Sequence, residues 1–449
     1  MLCLLLLALM LSCMSQLTMR KTEFSRFAQF FRHSEDYDVL FFGTSHVING
    51  FAPIDLWDEY GIAAYNCGLG GSAMPTTYWS IVNSLDHSQP DLVILDCYRL
   101  NYPDKYFYKA GVQRMLDEYP LSLNKLRAAA DLCWDSGSIA ELIFPFVMYH
   151  SRWSELTEND FSPVLSETNG FSANPSVSVP VQMSRSDAKY PLTDDMPGVE
   201  YLKKIIRLCS DRGIELLLTY LPYPATQDEA EEANAIADIA DEYGLDYINF
   251  LELDVIDLDT DMFDSFSHVN VSGARKITAY LGEYISEHFS LEDHRTDSSY
   301  QWMEDAAAAY KAYEVSLSEG ANLLCDYLML MRNNDWAAVI TVNEGSPLYQ
   351  DPVLMKLLEN VSLAGIPCRL REAAETGEAY LLYVDNRNGQ LLEYVGPDIP
   401  ASFSAELGTV TAGMCQGVSC RILDAVTGED LGLDRDFVFS SDTGFARVY

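Results

Sequence analysis

Asp38-Val39-Leu40-Phe41-Phe42-Gly43-Thr44-Ser45-His46 is the stretch around which the chain is organised. Four apolar residues run without a break into Gly-Thr-Ser-His, and an amphipathic, helix-compatible stretch begins at Ile54. A short apolar run closed by a glycine turn reads as a strand buried on both faces of a parallel sheet. The turn lifts the Ser45 hydroxyl onto the carboxyl edge of the sheet, where open α/β sheets place their ligands. Ser45 is therefore the candidate nucleophile.

Downstream, strand and helix patterns alternate. A helix over 54–60 is followed by a short strand over 63–66 and the turn Gly68-Leu69-Gly70-Gly71. A helix over 75–85 starts with proline, whose missing donor costs nothing at a first turn. Leu92 to Asp96 is a third buried strand. Regularity resumes with a helix over 199–209, whose Tyr201, Ile205 and Cys209 recur every four residues. A strand over 215–220, a helix over 228–243, a strand over 247–250 and a helix over 272–288 complete the series. This alternation predicts a doubly wound, mostly parallel, flavodoxin-like α/β sheet.

Residues 100–195 break the alternation with aromatics, prolines and polar runs, among them Tyr149-His150-Ser151-Arg152-Trp153. So long an insertion is expected to be a lid or a substrate-binding excursion. His150 and Arg152 are its candidates for gripping substrate; a surface loop holding an ion pair is the alternative. The polar stretch 291–300 reads as a linker. Residues 300–449 are expected to form a second, smaller α/β domain. Its pattern predicts a long helix from Trp302 to about Met331, a strand over 337–342 and a helix over 353–360. Two β-rich stretches follow, over 380–394 and 418–437.

The chain has 449 residues, 48% of them hydrophobic and 12% aromatic, which suits two or three folded domains. Its 67 acidic against 29 basic residues give a formal net charge of -38. Such a surface repels phosphate backbones, so nucleic acid is excluded as a partner while neutral or cationic sugars remain compatible. The 10 cysteines include no CxxC pair and read as small buried hydrophobes, with a local Cys415–Cys420 disulfide as the one pairing to consider. Neither a metal site nor a cofactor is expected. The apolar run Leu2 to Leu11 is shorter than the ~20 residues of a spanning helix and suits a signal h-region. Residues 1–20 are therefore expected to export the chain or anchor it in a membrane, with Cys13 as an alternative lipidation point. Residues 15–37 read as a polar helix with Phe24, Phe27, Phe30 and Phe31 at helical spacing. The acidic run Asp228-Glu229-Ala230-Glu231-Glu232 reads as a solvated helix start.

A serine becomes a useful nucleophile only beside a base, which in turn needs an orienting acid. Asp261-Met262-Phe263-Asp264-Ser265-Phe266-Ser267-His268-Val269-Asn270 supplies both. It follows the fifth strand, which puts it at the same carboxyl edge as Ser45. His268 is assigned as general base and acid and Asp264 as its orienter, with Asp261 as the alternative acid and His46 as a weaker alternative base. Oxyanion stabilisation needs donors aimed at the developing charge. The Ser45 amide and the glycine turn, Gly70 in particular, are the candidates, since glycine permits close backbone approach.

Gly43-Thr44-Ser45 after strand one, the glycine turn after strand two, and Asp264…His268-Val269-Asn270…Gly273 near the end of the domain together resemble the SGNH/GDSL hydrolase superfamily. The likeness covers roughly residues 35–290. It looks closest to the exported branch near the alginate O-acetylation proteins and the D-alanyl transfer protein of Gram-positive walls. The resemblance implies an SGNH-like domain over 21–292, the triad Ser45, His268 and Asp264, and Gly70 in the oxyanion hole. It implies an esterase or O-acyltransferase acting on a cell-surface polysaccharide, with a membrane acyltransferase as the partner that would supply acyl groups. Two departures stand out. The usual Asp-x-x-His is here Asp264-x-x-x-His268, and Asp96-Cys97-Tyr98-Arg99-Leu100-Asn101 stands where the superfamily has Gly-x-Asn-Asp. Asn101 is the substitute oxyanion donor. The altered block also admits a catalytically silent surface protein that binds glycan or a synthesis complex. Trp336-Ala337-Ala338-Val339-Ile340 and Asp424-Ala425-Val426-Thr427-Gly428 faintly resemble the interleukin-like EMT-inducer lectin-type fold, which implies a carbohydrate- or partner-binding second domain.

Overall fold

The computed structural model of the chain describes residues 2–19, 27–105, 108–161, 168–332, 335–363, 365–397, 417–441 and 444–447. Phe24 and Cys415 lie outside the described residues. Cys420 is a buried free thiol.

Five strands form the first sheet: β1 (Val39–Phe42), β2 (Ala64–Asn66), β3 (Leu92–Asp96), β4 (Glu215–Tyr220) and β5 (Asp246–Asn249). They are all parallel, in the order β2-β1-β3-β4-β5. The two central strands, β1 and β3, are apolar up to Asp96 and fully buried because helices cover both faces. The order reverses direction between β1 and β3, and the crevice at such a switch point is where doubly wound sheets bind ligands. Ser45 follows β1 and Tyr98 follows β3, so the chain brings both to that crevice.

Gly43 makes the turn out of β1 with a φ of +153°. A Cβ there would lie 2.6 Å from Val47 Cγ2 and 2.9 Å from Asp96 Cβ. Gly43→Ala is expected to cost about 3 kcal/mol from backbone strain and overpacking. Urea unfolding of the variant measures this; an unchanged midpoint would show that the turn has room to spare.

The second domain holds six strands: β6 (Trp336–Val342), β7 (Ala379–Asp385), β8 (Gln390–Gly396), β9 (Gly417–Asp424), β10 (Arg435–Ser440) and β11 (Gly444–Arg447). Their order is β11-β10-β9-β6-β7-β8, and every pairing is antiparallel. The expected long helix is instead two, Gln301–Gly320 and Leu324–Met331. Glycine is a poor helix residue at position 320, and Leu323 leaves the helix to bridge Ala446 at the sheet edge. The 291–300 stretch is packed down: the His294 ring lies 3.9 Å from Tyr300, and its Nε2 is 3.0 Å from Asp38 Oδ1.

At the N-terminus Leu2–Thr18 is one helix. The Phe146 amide donates to Ser15 Oγ at 3.0 Å and Arg152 donates to the Thr18 carbonyl. Among the described residues no helix is long and apolar enough to cross a membrane. The single polar helix expected over 15–37 is not found among the described residues: residues 15–18 close the N-terminal helix, only Phe27–Phe30 is a further helical turn, and residues 31–36 are turns and bends. Phe27 and Phe30 are buried against Tyr65.

Candidate active site

The serine is presented by its own local sequence. Thr44 Oγ1 accepts from the His46 amide at 3.2 Å and caps a six-residue helix, Ser45–Gly50, that starts at the candidate nucleophile. This helix was not evident in the sequence, where Ile54 is the first clear periodic residue. As its first residue, Ser45 has no helical partner for its N–H, and the residue is half-buried.

The loop after β5 is closed at its base. Asn270 donates to the Asp261 carbonyl at 2.9 Å, and Met262 and Val269 form an antiparallel bridge. Within that loop Asp264 Oδ1 accepts the amides of Phe266, Ser267 and His268 at 3.1, 2.7 and 3.1 Å. Asp264 Oδ2 lies 2.5 Å from His268 Nδ1, and His268 Nε2 lies 2.7 Å from Ser45 Oγ across 223 residues of chain. The extra residue in Asp264-x-x-x-His268 is therefore taken up by a turn that the aspartate itself organises. Phe263 stacks on the His268 ring, 5.3 Å and 7° apart, and restrains its tilt.

Proton positions follow from chemistry. An ionised carboxylate only accepts, so Nδ1 carries the proton and Nε2 of the neutral ring accepts from the Ser45 hydroxyl. Burial works to raise the Asp264 pKa, but the bonds from His268 and from the three amides outweigh it and hold the acid below the usual carboxylate range. Asp264 therefore stays ionised beside His268.

The glycine turn is tied to the end of β1: the Leu69 amide donates to the Gly43 carbonyl at 2.9 Å, and Ser72 Oγ to the same oxygen at 3.2 Å. The amides of Ser45 and Gly70 have no hydrogen-bond partner among the described residues. Two free donors at one sheet edge are what an oxyanion hole requires.

The rest of the crevice is aromatic. His46 packs 4.2 Å from the Tyr98 ring, 4.7 Å from Tyr223 and 5.8 Å from His268. Burial pushes the His46 pKa down to about 3, with His268 and Arg99 adding to the effect. His46 is thus a neutral wall residue with little basicity. Arg99 takes a left-handed φ of 57°, lies 5.0 Å over Tyr98 and pairs with Glu229 at 3.3 Å. Tyr98 and Tyr223 were missed in the sequence, where nothing but their positions after β3 and β4 marks them.

Several candidates lie elsewhere. The Asn101 amide donates to Glu232 at 3.0 Å, and no described contact joins Asn101 to Ser45, Gly70 or His268. His150 Nδ1 is 3.0 Å from the Val147 carbonyl, and Arg152 pairs with Asp160 at 3.0 Å, so both belong to the packing around the N-terminal helix. The insertion reaches the site through its returning segment instead. The Ser172 amide donates to the Ile48 carbonyl at 2.9 Å, the Ser178 amide to Met262 at 2.8 Å, and Asn270 Nδ2 to Ser176 at 3.2 Å. Asp261 accepts Lys276 at 2.5 Å, Ser272 at 3.0 Å and the Asp257 amide at 2.7 Å. It braces the loop and has no described bond to His268.

One expectation is overturned. Glu232 is not on a solvated face: it is fully buried and accepts the Leu100 amide at 3.1 Å as well as that of Asn101. The turn after β3 lacks donors and acceptors of its own to satisfy these amides, so a carboxylate from the neighbouring helix does so. Burial raises Glu232 to about 7. Burial likewise raises Asp96, at the end of β3, to about 7, with Glu232 adding to the shift against the opposing bond from the Leu221 amide.

No protein-family model matches the sequence, and no curated protein matches it. Among solved structures the chain is similar to a Bacteroides fragilis protein described as a "putative acylhydrolase", at 12% identity and a TM-score of 0.30. The match covers 60% of this chain and 98% of that one. Likeness of that degree identifies no function.

Proposed function

We propose that the chain is a serine acyl-transfer enzyme of SGNH type that moves an acyl group, acetyl foremost, onto or off an extracytoplasmic polysaccharide through an ester on Ser45. The observation that carries this reading is the continuous relay from Ser45 Oγ through His268 to Asp264, at 2.7 and 2.5 Å.

In the first step Ser45 Oγ attacks the acyl carbonyl while His268 Nε2 takes its proton. The imidazolium that forms is stabilised by ionised Asp264, and the oxyanion is met by the amides of Ser45 and Gly70. His268 then returns the proton to the departing sugar oxygen, leaving an ester on Ser45. Water or a sugar hydroxyl, deprotonated in turn by His268, resolves that ester; water gives hydrolysis and the sugar gives transfer. The half-buried Tyr98, beside His46 and under Arg99, gives the crevice an aromatic wall against which a sugar can pack. The N-terminal helix leaves Leu2, Leu6, Leu9 and Met10 more than half exposed, which suits a leader or membrane-associated segment. A transferase would take its acyl groups from a membrane acyltransferase partner.

A fluorophosphonate probe tests the reading. Folded protein is expected to form one adduct, mapped by peptide mass spectrometry to Ser45 and absent from Ser45→Ala. Absence of the adduct in folded wild-type protein would leave the chain as a silent glycan-binding scaffold. Acetate released from an acetylated glycan, against acetate gained by an acceptor glycan, then separates esterase from transferase.

A further inference from the structure

A cavity of about 840 Å³ lies between the two domains, and Ser45, Asp264 and His268 do not line it. Its size falls within the range of small-molecule sites, which favour domain interfaces. In a chain with 29 basic and 67 acidic residues, five lysines and arginines line this one space beside six carboxylates. Asp58 stands near the carboxylates of Asp55, Glu59, Glu304 and Asp335, with Arg295 as a nearby cation. Arg332 lies near Arg275 and Asp261.

Most of these groups are already satisfied. Arg275 pairs with Glu314, Lys276 with Asp261, and Lys311 with Asp335. Four are not. Among the described residues the Arg332 guanidinium has no ion pair or hydrogen bond, and it is the one such cation in the lining; the carboxylates of Asp58, Glu59 and Glu304 have none either. Burial makes the charged Arg332 harder to maintain, and its neighbour Arg275 adds to that, so its pKa is lowered. A half-buried guanidinium with no partner is relieved by a bound anion, which its planar fork grips in bidentate fashion. Elsewhere in the lining the exposed Asp58 carboxylate can accept from hydroxyl groups.

We propose that this interdomain cavity binds a small hydroxylated anion, a sugar acid or a sugar phosphate, with the anionic group on Arg332 and hydroxyls toward Asp58. The ligand touches residues of both domains and therefore strengthens their docking.

The test is calorimetric titration of the full chain with glucuronate and with glucose 6-phosphate, alongside thermal melts at each concentration. One of the two anions is expected to bind saturably and to raise Tm as its concentration rises; which one does so identifies carboxylate or phosphate. Glucose is expected to do neither, nor sodium chloride at matched ionic strength. Arg332→Gln is expected to weaken binding roughly tenfold or more. Should that variant fail to fold, Lys311→Gln at the half-exposed rim is expected to weaken it severalfold. The proposal is overturned if neither anion binds better than glucose, or if a folded variant binds as well as wild type. Ser45→Ala leaves the binding intact, so loss of the acyl-transfer reading would not touch this one.

Discussion

Asp264→Asn is expected to lower the rate of Ser45 acylation by roughly 10⁴-fold with little change in stability. The asparagine carbonyl can still accept the amides of Phe266, Ser267 and His268, so the turn that carries His268 is kept. Its amide nitrogen then faces His268 Nδ1 and cannot accept a proton from it. The ring is driven to the other tautomer, with its proton on Nε2, where it no longer accepts from Ser45. Asp261→Ala separates the two aspartates. Asp261 is 1% exposed and pairs with Lys276, so its removal leaves a cation and several donors without their acceptor. That variant is expected to lose about 3 kcal/mol or more of stability, while the folded fraction keeps its alignment of His268 and Asp264. Burst kinetics with an activated acyl ester, read beside urea unfolding, distinguish the two. Equal and small rate losses in both variants would refute the triad as drawn.

The second large effect concerns pH. Asp96 is 1% exposed; Oδ1 accepts the Leu221 amide at 2.9 Å and Oδ2 has no partner among the described residues. Its pKa is raised to about 7 in the folded chain against ~3.9 unfolded. The native state therefore holds this proton more tightly than the unfolded state does. The stabilisation is complete below ~4, falls by ~1.4 kcal/mol per pH unit above that, and is gone once pH passes the folded value. The whole contribution is ~4 kcal/mol, of which about 3 kcal/mol lies between pH 5 and 8. Asp96→Asn mimics the neutral acid at every pH. Its unfolding free energy is expected to fall less between pH 5 and 8 than that of wild type, by about 3 kcal/mol. Parallel pH profiles for the two proteins would show that Asp96 is ionised in the folded state throughout.

Both effects depend on the same sheet edge, and the edge was only partly legible in the chain. Val39 to Phe42 announces a buried strand because no surface strand tolerates so continuous an apolar run, and Gly43 after it marks a turn. Parallel connectivity follows from alternation, and with it the placing of every strand-end loop on one side. That suffices to put Ser45 and the 261–270 loop together. The short helix at Ser45 escaped notice because six residues are too few for a period to show, and its Thr44 cap is a common residue in turns. Glu232 was misread because an acidic run looks solvated until one knows that the turn after β3 lies over it. The break at Gly320 was hidden by an apolar run on its far side that resumes the helical pattern.

What the sequence by itself determined is the sheet, the turn after its first strand, and a hydroxyl, an imidazole and carboxylates on one edge. These follow from hydrophobic burial and strand direction, which are properties of short windows. Which aspartate meets His268, which amides stand free, and why Tyr98 lines the crevice while Asn101 does not were decided only by tertiary structure. Each of these depends on hydrogen bonds between segments far apart in the chain, such as the 2.7 Å contact between Ser45 and His268. Bonds of that kind leave no period or composition behind for a sequence to display.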